Sequence, residues 1–420
     1  MKKSHLLYFL FIVTVATASL CGFSQVYRNV PLKSSITGVQ PMTGIVFWSN
    51  NLSHNTTDII SLEFSYMKYS DVVKEKGIFN WDVVEEVLDA AASRQHQAIL
   101  RFRFIYPGDI ISAVPEYIRN LPDYHDTLGI SERRPTMFAD WRNQELQEFT
   151  LDFYTRFAEK YDKDPRLAFL QVGFGLWAEY HIYDGIRIIG RTFPSKEFQE
   201  TFLKHLGTVF SHLPWSISVD AANGAYSPFE SRPYLKNISF GLFDDSFMHR
   251  THHEYNTDCW NFFGRQSYRQ SPAGGEFSYY SRYDQRHVLD YPDGPYGKNF
   301  ETFAKEFHIT YMIGNDQPQY QSSERIREAS MVCGYRFRVL EFKTSGNESI
   351  VRVTNTGIAP IYRDAYVSVD GVRAGETLKY LQPGQTRLFF IPYGFTKGEL
   401  RIESDHLVSG QRIEFEADLE

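Results

Sequence analysis

Cysteine is scarce in this 420-residue chain, with three in all, so a fold stapled by several disulfides is excluded. Basic residues do not dominate. Lys and Arg together number 44 against 51 Asp and Glu, a net charge of −7, which argues against a protein that coats nucleic acid. Beyond the N-terminus no apolar run is long enough for a membrane helix. GxSxG, a phosphate loop and GxGxxG after a strand are missing too, so serine hydrolase, nucleotide hydrolase and dinucleotide enzyme all lose ground. What the chain does have is a globular balance, 42% hydrophobic and 23% charged, with 27 Tyr and 34 Phe. So many rings suit a sugar-binding cleft and a large core equally.

Residues 1–24 read as a secretory signal peptide: Lys2 and Lys3, an apolar stretch from Leu6 to Val15, then mostly small residues to Ser24. Cleavage is expected after Ala18 or Ser24, and the mature protein is expected to be secreted, periplasmic or on the outer surface. Cys21 lacks a small residue immediately before it, so lipoprotein anchoring is the weaker reading. Cys259 and Cys333 then remain, enough for one disulfide.

Along the mature chain, short apolar runs alternate with amphipathic segments, the pattern of a parallel sheet with helices outside it. Eight strands are expected near Gly44–Trp48, Ile59–Tyr66, Ala98–Phe104, Leu167–Phe174, Ser216–Asp220, Ile238–Phe243, Ala273–Phe277 and Ile309–Ile313. Helical stripes fall at Trp81–Arg94, from Leu146 to Tyr161, at Ser195–Leu213, at Phe300–Phe307 and from about Ser323; Asn50–Thr57 reads as a polar loop. This is the arithmetic of a (β/α)8 TIM-type barrel over 25–334. After Cys333 five strand-like runs separated by turns such as Asp370-Gly371 read as a small antiparallel β-sandwich over 335–420.

In such a barrel the chemistry lies where strands end. Alternation from Gln171 through Gly173, Gly175 and Trp177 brings Glu179 to the mouth, with Ala168, Leu170, Val172 and Phe174 facing helices. Ala273-Gly274-Gly275 delivers Glu276 to the same face. Two carboxylic acids at the ends of the fourth and seventh strands fit a retaining glycosidase, Glu179 as acid/base and Glu276 as nucleophile. Glu63, Arg101 and Arg103 share inward parity and either bind substrate or neutralise one another in the core. Asp220, Asp244 and Asp245 end the fifth and sixth strands and hold sugar hydroxyls or order loops. His181 tunes Glu179 or is a loop histidine, and Trp48, Trp177, Tyr180 and Tyr183 gather near strand ends where a sugar face could stack. Phe102, Phe104, Phe149, Phe153 and Phe157 read as packing, and Pro107–Asp140 as a wall of the cleft. The run His249, His252, His253, Glu254, Asp258 matches no HExxH spacing, so no metal or other cofactor is expected.

Gln40-Pro41-Met42-Thr43-Gly44, Gly77-Ile78-Phe79-Asn80-Trp81, Tyr161-Asp162-Lys163-Asp164-Pro165-Arg166, Gly175-Leu176-Trp177-Ala178-Glu179-Tyr180-His181, Asp244-Asp245-Ser246-Phe247 and Gly274-Gly275-Glu276 occur in this order. Together they resemble the secreted bacterial family known as domain of unknown function 4832. That resemblance implies a glycoside-hydrolase-like barrel with a β-sandwich, a carbohydrate partner, and a site at Trp177, Glu179, His181, Asp244, Asp245 and Glu276. Ala178 stands where the pattern has glycine, Tyr180 where it has tryptophan, and Glu179 does not follow an asparagine. The expectation is a secreted glycoside hydrolase; the rivals are a non-catalytic carbohydrate-binding barrel and an envelope structural protein.

Overall fold

The computed structural model describes residues 26–51 and 58–420. The expected signal peptide and most of the Asn50–Thr57 loop lie outside the described residues. Eight strands close into a parallel barrel: β1 (Gly44–Trp48), β2 (Leu62–Lys68), β3 (Gln97–Arg103), β4 (Leu167–Gln171), β5 (Trp215–Ser218), β6 (Gly241–Phe247), β7 (Ala273–Phe277) and β8 (Tyr311–Ile313). β8 pairs with β1 to complete the ring, Tyr311 opposite Gly44 and Ile313 opposite Val46.

Strand alternation divides the side chains. Ile45, Phe47, Leu100, Phe102, Leu170 and Ile217 pack outward in one cluster with the helices, while Val46, Leu62, Phe64, Ile99, Phe169 and Tyr311 form a second cluster inside. Ala168 belongs with Phe169 in the inner cluster, because the register shifts between Leu167 and Phe169. Glu63 likewise lies on the outer face: Leu62 and Phe64 occupy the inward positions, and the Glu63 carboxylate is held by Arg94 at 2.6 Å and His96 at 2.7 Å.

The outer layer includes α1 (Asp82–Ser93), α2 (Gln144–Tyr161), α3 (Lys196–Val209), α4 (His253–Phe263), α5 (Phe300–Phe307) and α6 (Ser323–Val332). Four of these begin on a polar cap: Asn143, Ser195, Asn299 and Ser322 each accept a hydrogen bond from a first-turn N–H. On α2 the i, i+4 stripe Phe149, Phe153, Phe157, Tyr161 is buried against β3, with the Phe153 ring 4.8 Å from that of Phe102. Truncating Phe153 to Ala would cost about 3–5 kcal/mol at such a site.

The C-terminal unit comprises β9 (Phe337–Thr344), β10 (Ser349–Asn355), β11 (Tyr366–Val369), β12 (Val372–Arg373), β13 (Thr386–Ile391), β14 (Leu400–Glu403) and β15 (Phe415–Leu419). One sheet runs β13-β10-β9-β15 and the other β12-β11-β14. Pairing is antiparallel except for β9 with β15, which is parallel. The short strands Arg28–Asn29 and Leu32–Ser34, expected with the barrel, instead pair with β9 and β15. This unit sits against the N-terminal ends of the barrel strands: Arg363 donates to the carbonyls of Asp162 and Leu167, and Gln97 to that of His406. The opposite, C-terminal face is left open. Cys259 and Cys333 are both free and buried, and among the described residues no helix is long and apolar enough to cross a membrane.

Candidate active site

The C-terminal ends of the strands surround an open cleft of about 1100 Å³. Glu179, His181, Asp220, Asp244, Asp245 and Glu276 all line it, with Trp48 and Trp177 among its aromatic walls. The hairpin Thr127–Ser131 with Arg134–Phe138 stands within the segment expected to form a wall and contributes Glu132 to the lining.

Glu179 reaches the cleft by a tight turn and not by continued extension, because β4 ends at Gln171. Trp177 and Ala178 both take left-handed conformations, φ 54° and 58°. The backbone then folds on itself, the Gly175 N–H donating to the Glu179 carbonyl at 2.8 Å. A Cβ on Gly173 would meet the Ala178 oxygen at 2.0 Å, and one on Gly175 the His181 oxygen at 2.0 Å, so both positions require glycine. The left-handed φ of Ala178 also explains why glycine would suit that position. On β7, a Cβ on Gly274 would strike the Tyr311 ring at 2.4 Å and one on Gly275 the Asp244 oxygen at 2.0 Å. These two glycines let β6, β7 and β8 crowd together beneath Glu276.

Three carboxylates share the floor, and Asp245 is the anchored one. Arg101, fully buried, donates to Asp245 at 2.6 Å and to Gln171 through Nε at 2.8 Å, with its guanidinium 4.2 Å from the Phe243 ring centre. Burial raises the Glu179 pKa to about 7, and the Asp245 charge adds to the rise. Burial likewise pushes Glu276 well above the ordinary carboxylate range, Asp245 and Glu179 adding repulsion. Opposing this, the Trp48 indole N–H donates to Glu276 Oε1 at 3.3 Å, and Arg101 lends positive charge. Beside Glu179 lies His181, Nε2 to Oε2 3.3 Å. The Tyr183 backbone N–H donates to His181 Nδ1, which places the ring proton on Nε2, facing Glu179. Glu179 is therefore poised to exchange a proton near neutral pH.

The remaining expected residues separate. Asp220 receives the Tyr183 hydroxyl at 3.2 Å. Asp244 is turned toward α4, accepting from Asn256 at 2.7 Å and Trp260 at 3.4 Å, and burial raises its pKa to about 7. Arg101 lies beneath the floor without lining the cleft, and Arg103 is drawn aside by Asp109 at 2.6 Å. Tyr180 is fully buried between Phe174 and Phe193, away from the sugar-facing role expected of it. Tyr66, Tyr106, Tyr255, Tyr279 and Asn315 line the cleft without having been anticipated. Asn315 had a signal, since it lies two residues after β8, and Tyr66 shares the inward parity of Phe64; Tyr106 and Tyr279 from loops and Tyr255 from α4 had none.

Two trios of potential ligand groups come together among the described residues, each with its ligand atoms within 4.8 Å of one another. Glu179, His181 and Asp220 could hold a cation in the cleft; His212, Asp364 and His406 lie elsewhere. The run from His249 to Asp258 supplies neither, since His252 lines the cleft while His253 packs on Phe303.

No protein-family model matches the sequence, and no curated protein matches it. The resemblance to the domain of unknown function 4832 proteins therefore rests on the quoted motifs alone. Solved structures with similar folds include an intracellular xylanase from Thermoanaerobacterium saccharolyticum bound to xylotriose, 11% identical over 64% of this chain and 84% of that one, TM-score 0.40. Xylanase 10C from Cellvibrio japonicus, in complex with xylopentaose, is 9% identical over 72% of this chain and 66% of that one, TM-score 0.42. An α-amylase from Lactobacillus plantarum is 11% identical over 83% and 98%, TM-score 0.37. At such distances none of these proteins speaks for what this chain does.

Proposed function

We propose that the protein is a secreted glycoside hydrolase that cleaves a glycan by a retaining, two-carboxylate mechanism. One observation carries this reading: two buried glutamates, one on the turn after β4 and one on β7, face a single aromatic-walled cleft, the pKa of Glu179 raised to about 7 and that of Glu276 raised well above the ordinary carboxylate range. Their neighbours divide the roles. Glu179 faces a titratable group, His181, which suits a residue that must give and retake a proton in every cycle. Glu276 faces a donor that does not titrate, the Trp48 indole, and feels the Arg101 charge; both work toward the ionised form that a nucleophile needs, against the burial and the Asp245 charge that raise its pKa.

In the first step a Glu276 oxygen bonds to the anomeric carbon as the glycosidic C–O bond breaks, and Glu179 passes its proton to the departing oxygen. In the second, Glu179 takes a proton from water, whose oxygen displaces Glu276 and restores its carboxylate. Trp48 and Trp177 offer ring faces to the sugar, and Asp220 accepts from its hydroxyls.

The test is a glycan panel offered to the mature protein and to Glu179→Gln and Glu276→Gln variants, with product anomers read by NMR. Cleavage with retained configuration, lost in both variants, is expected. Binding by all three proteins with turnover by none would instead establish the non-catalytic carbohydrate-binding barrel.

A further inference from the structure

On the face of the barrel opposite the cleft, three metal-ligating side chains meet across the junction with the C-terminal unit. His212 lies in the turn between α3 and β5, Asp364 just before β11 and His406 just after β14. A ring nitrogen of each histidine and a carboxylate oxygen of Asp364 lie within 4.8 Å of one another, and the two rings are 6.4 Å apart. His406 is 9% exposed, and its Nδ1 is buried with no hydrogen-bond partner. Such an orphan is costly unless something binds it.

The main chain of each residue is pinned. The Asp162 carboxylate accepts from the backbone N–H groups of Ser211, His212 and Leu213, at 2.8 Å for Leu213. The Ser404 hydroxyl donates to the Asp364 carbonyl at 2.6 Å and accepts from the His406 N–H at 3.1 Å, while Gln97 of β3 holds the His406 carbonyl at 2.8 Å. The neighbouring Arg363 is itself anchored on Asp162 and Leu167. Donor atoms around a tetrahedral zinc ion are about 3.3 Å apart, so the trio must draw in by no more than about 1.5 Å, within the reach of side-chain rotation.

We propose that His212, Asp364 and His406 hold a divalent transition-metal ion, zinc by the donor set, that fastens the C-terminal unit to the barrel. Two imidazoles and one carboxylate are a borderline donor set that suits zinc better than calcium or magnesium, and a water would complete four-coordination. The site joins segments more than 150 residues apart in sequence, so binding favours the assembled fold over the unfolded chain.

The mature protein is stripped with EDTA and titrated with zinc against a chromogenic chelator, and cobalt is added in parallel for its visible absorption. One tightly bound equivalent is expected, with tetrahedral-type cobalt bands and a thermal midpoint several degrees above the stripped protein. His212→Gln, on a half-buried ring, and Asp364→Asn should each weaken binding by at least about a hundredfold, since even outer partners of metal ligands cost 10–100-fold. His181→Asn, in the cleft, should leave it intact. No tight equivalent, or binding lost with His181→Asn and kept with His212→Gln, would overturn the assignment.

Discussion

Replacing Glu179 by Gln should stabilise the protein at alkaline pH while disabling it. The folded state holds the Glu179 proton up to a pKa of about 7, whereas the unfolded chain releases it near 4.5. Between those values the folded state binds more protons, so this group's contribution to stability is full below pH 4.5 and is lost as pH rises through about 7. A shift of about two and a half units at about 1.4 kcal/mol each makes the ionised, buried carboxylate cost about 3 kcal/mol at pH 8. Gln mimics the protonated acid and carries no such cost. His181 works the other way, because its pKa is raised by the Glu179 charge and that support disappears with the carboxylate. The variant should therefore gain between about 1 and 3 kcal/mol over wild type at pH 8 relative to the difference at pH 4. Urea unfolding of both proteins across that range measures it directly. Hydrolysis should meanwhile fall by 10²–10⁴, the usual worth of a general acid. Parallel stability curves for the two proteins would show that Glu179 ionises normally in the fold, and the reasoning from burial and Asp245 would fail.

Three further substitutions probe the supports of the pair. Gly173→Ala drives a Cβ onto the Ala178 oxygen, so the turn carrying Glu179 must move; kcat should drop at least tenfold while circular dichroism shows the barrel intact. Trp48→Phe removes the N–H that favours ionised Glu276, and the acidic limb of the kcat/KM profile should move up by about one pH unit. Asp245→Asn strips the buried Arg101 of its ion partner, a loss of about 3–5 kcal/mol in denaturant unfolding. In whatever folded fraction survives, the alkaline limb of the activity profile should fall, because Asp245 raises the pKa of both glutamates.

The barrel was legible because its signals are local. Strand β1, strand β7 and helix α5 lie within the residues that apolar runs and helical stripes mark out, and α1 and α2 differ by one or two residues at an end. Strand ends were less legible. Extension through Phe174 looked continuous in sequence, but Gly173 and Gly175 serve a backbone that doubles back, and close approach of two main-chain segments leaves no mark in periodicity. The strands Arg28–Asn29 and Leu32–Ser34 were missed as part of the C-terminal unit because their partners lie some 300 to 400 residues further along.

The misreading of Glu63 shows where sequence patterning fails inside a barrel. Glu63, Arg101 and Arg103 looked like one polar set, as if polarity alone marked the inward face. In the fold the lower interior is filled by Leu62, Phe64, Ile99 and Phe169, so Glu63 faces outward to Arg94 and His96. Near the mouth, the interior must support charge, and there Arg101 is inward with Gln171 and Asp245 as partners. The inward face is thus apolar at one end and ionic at the other, and a single rule for its composition cannot hold along a strand. Arg101 is consequently not a substrate ligand held in reserve. Among the described residues no lysine or arginine lines the cleft, so Arg101 is the buried cation that lets Asp245 remain among two glutamates; the pKa values of those glutamates are raised first by burial and then by the Asp245 charge, with Arg101 opposing the rise at Glu276.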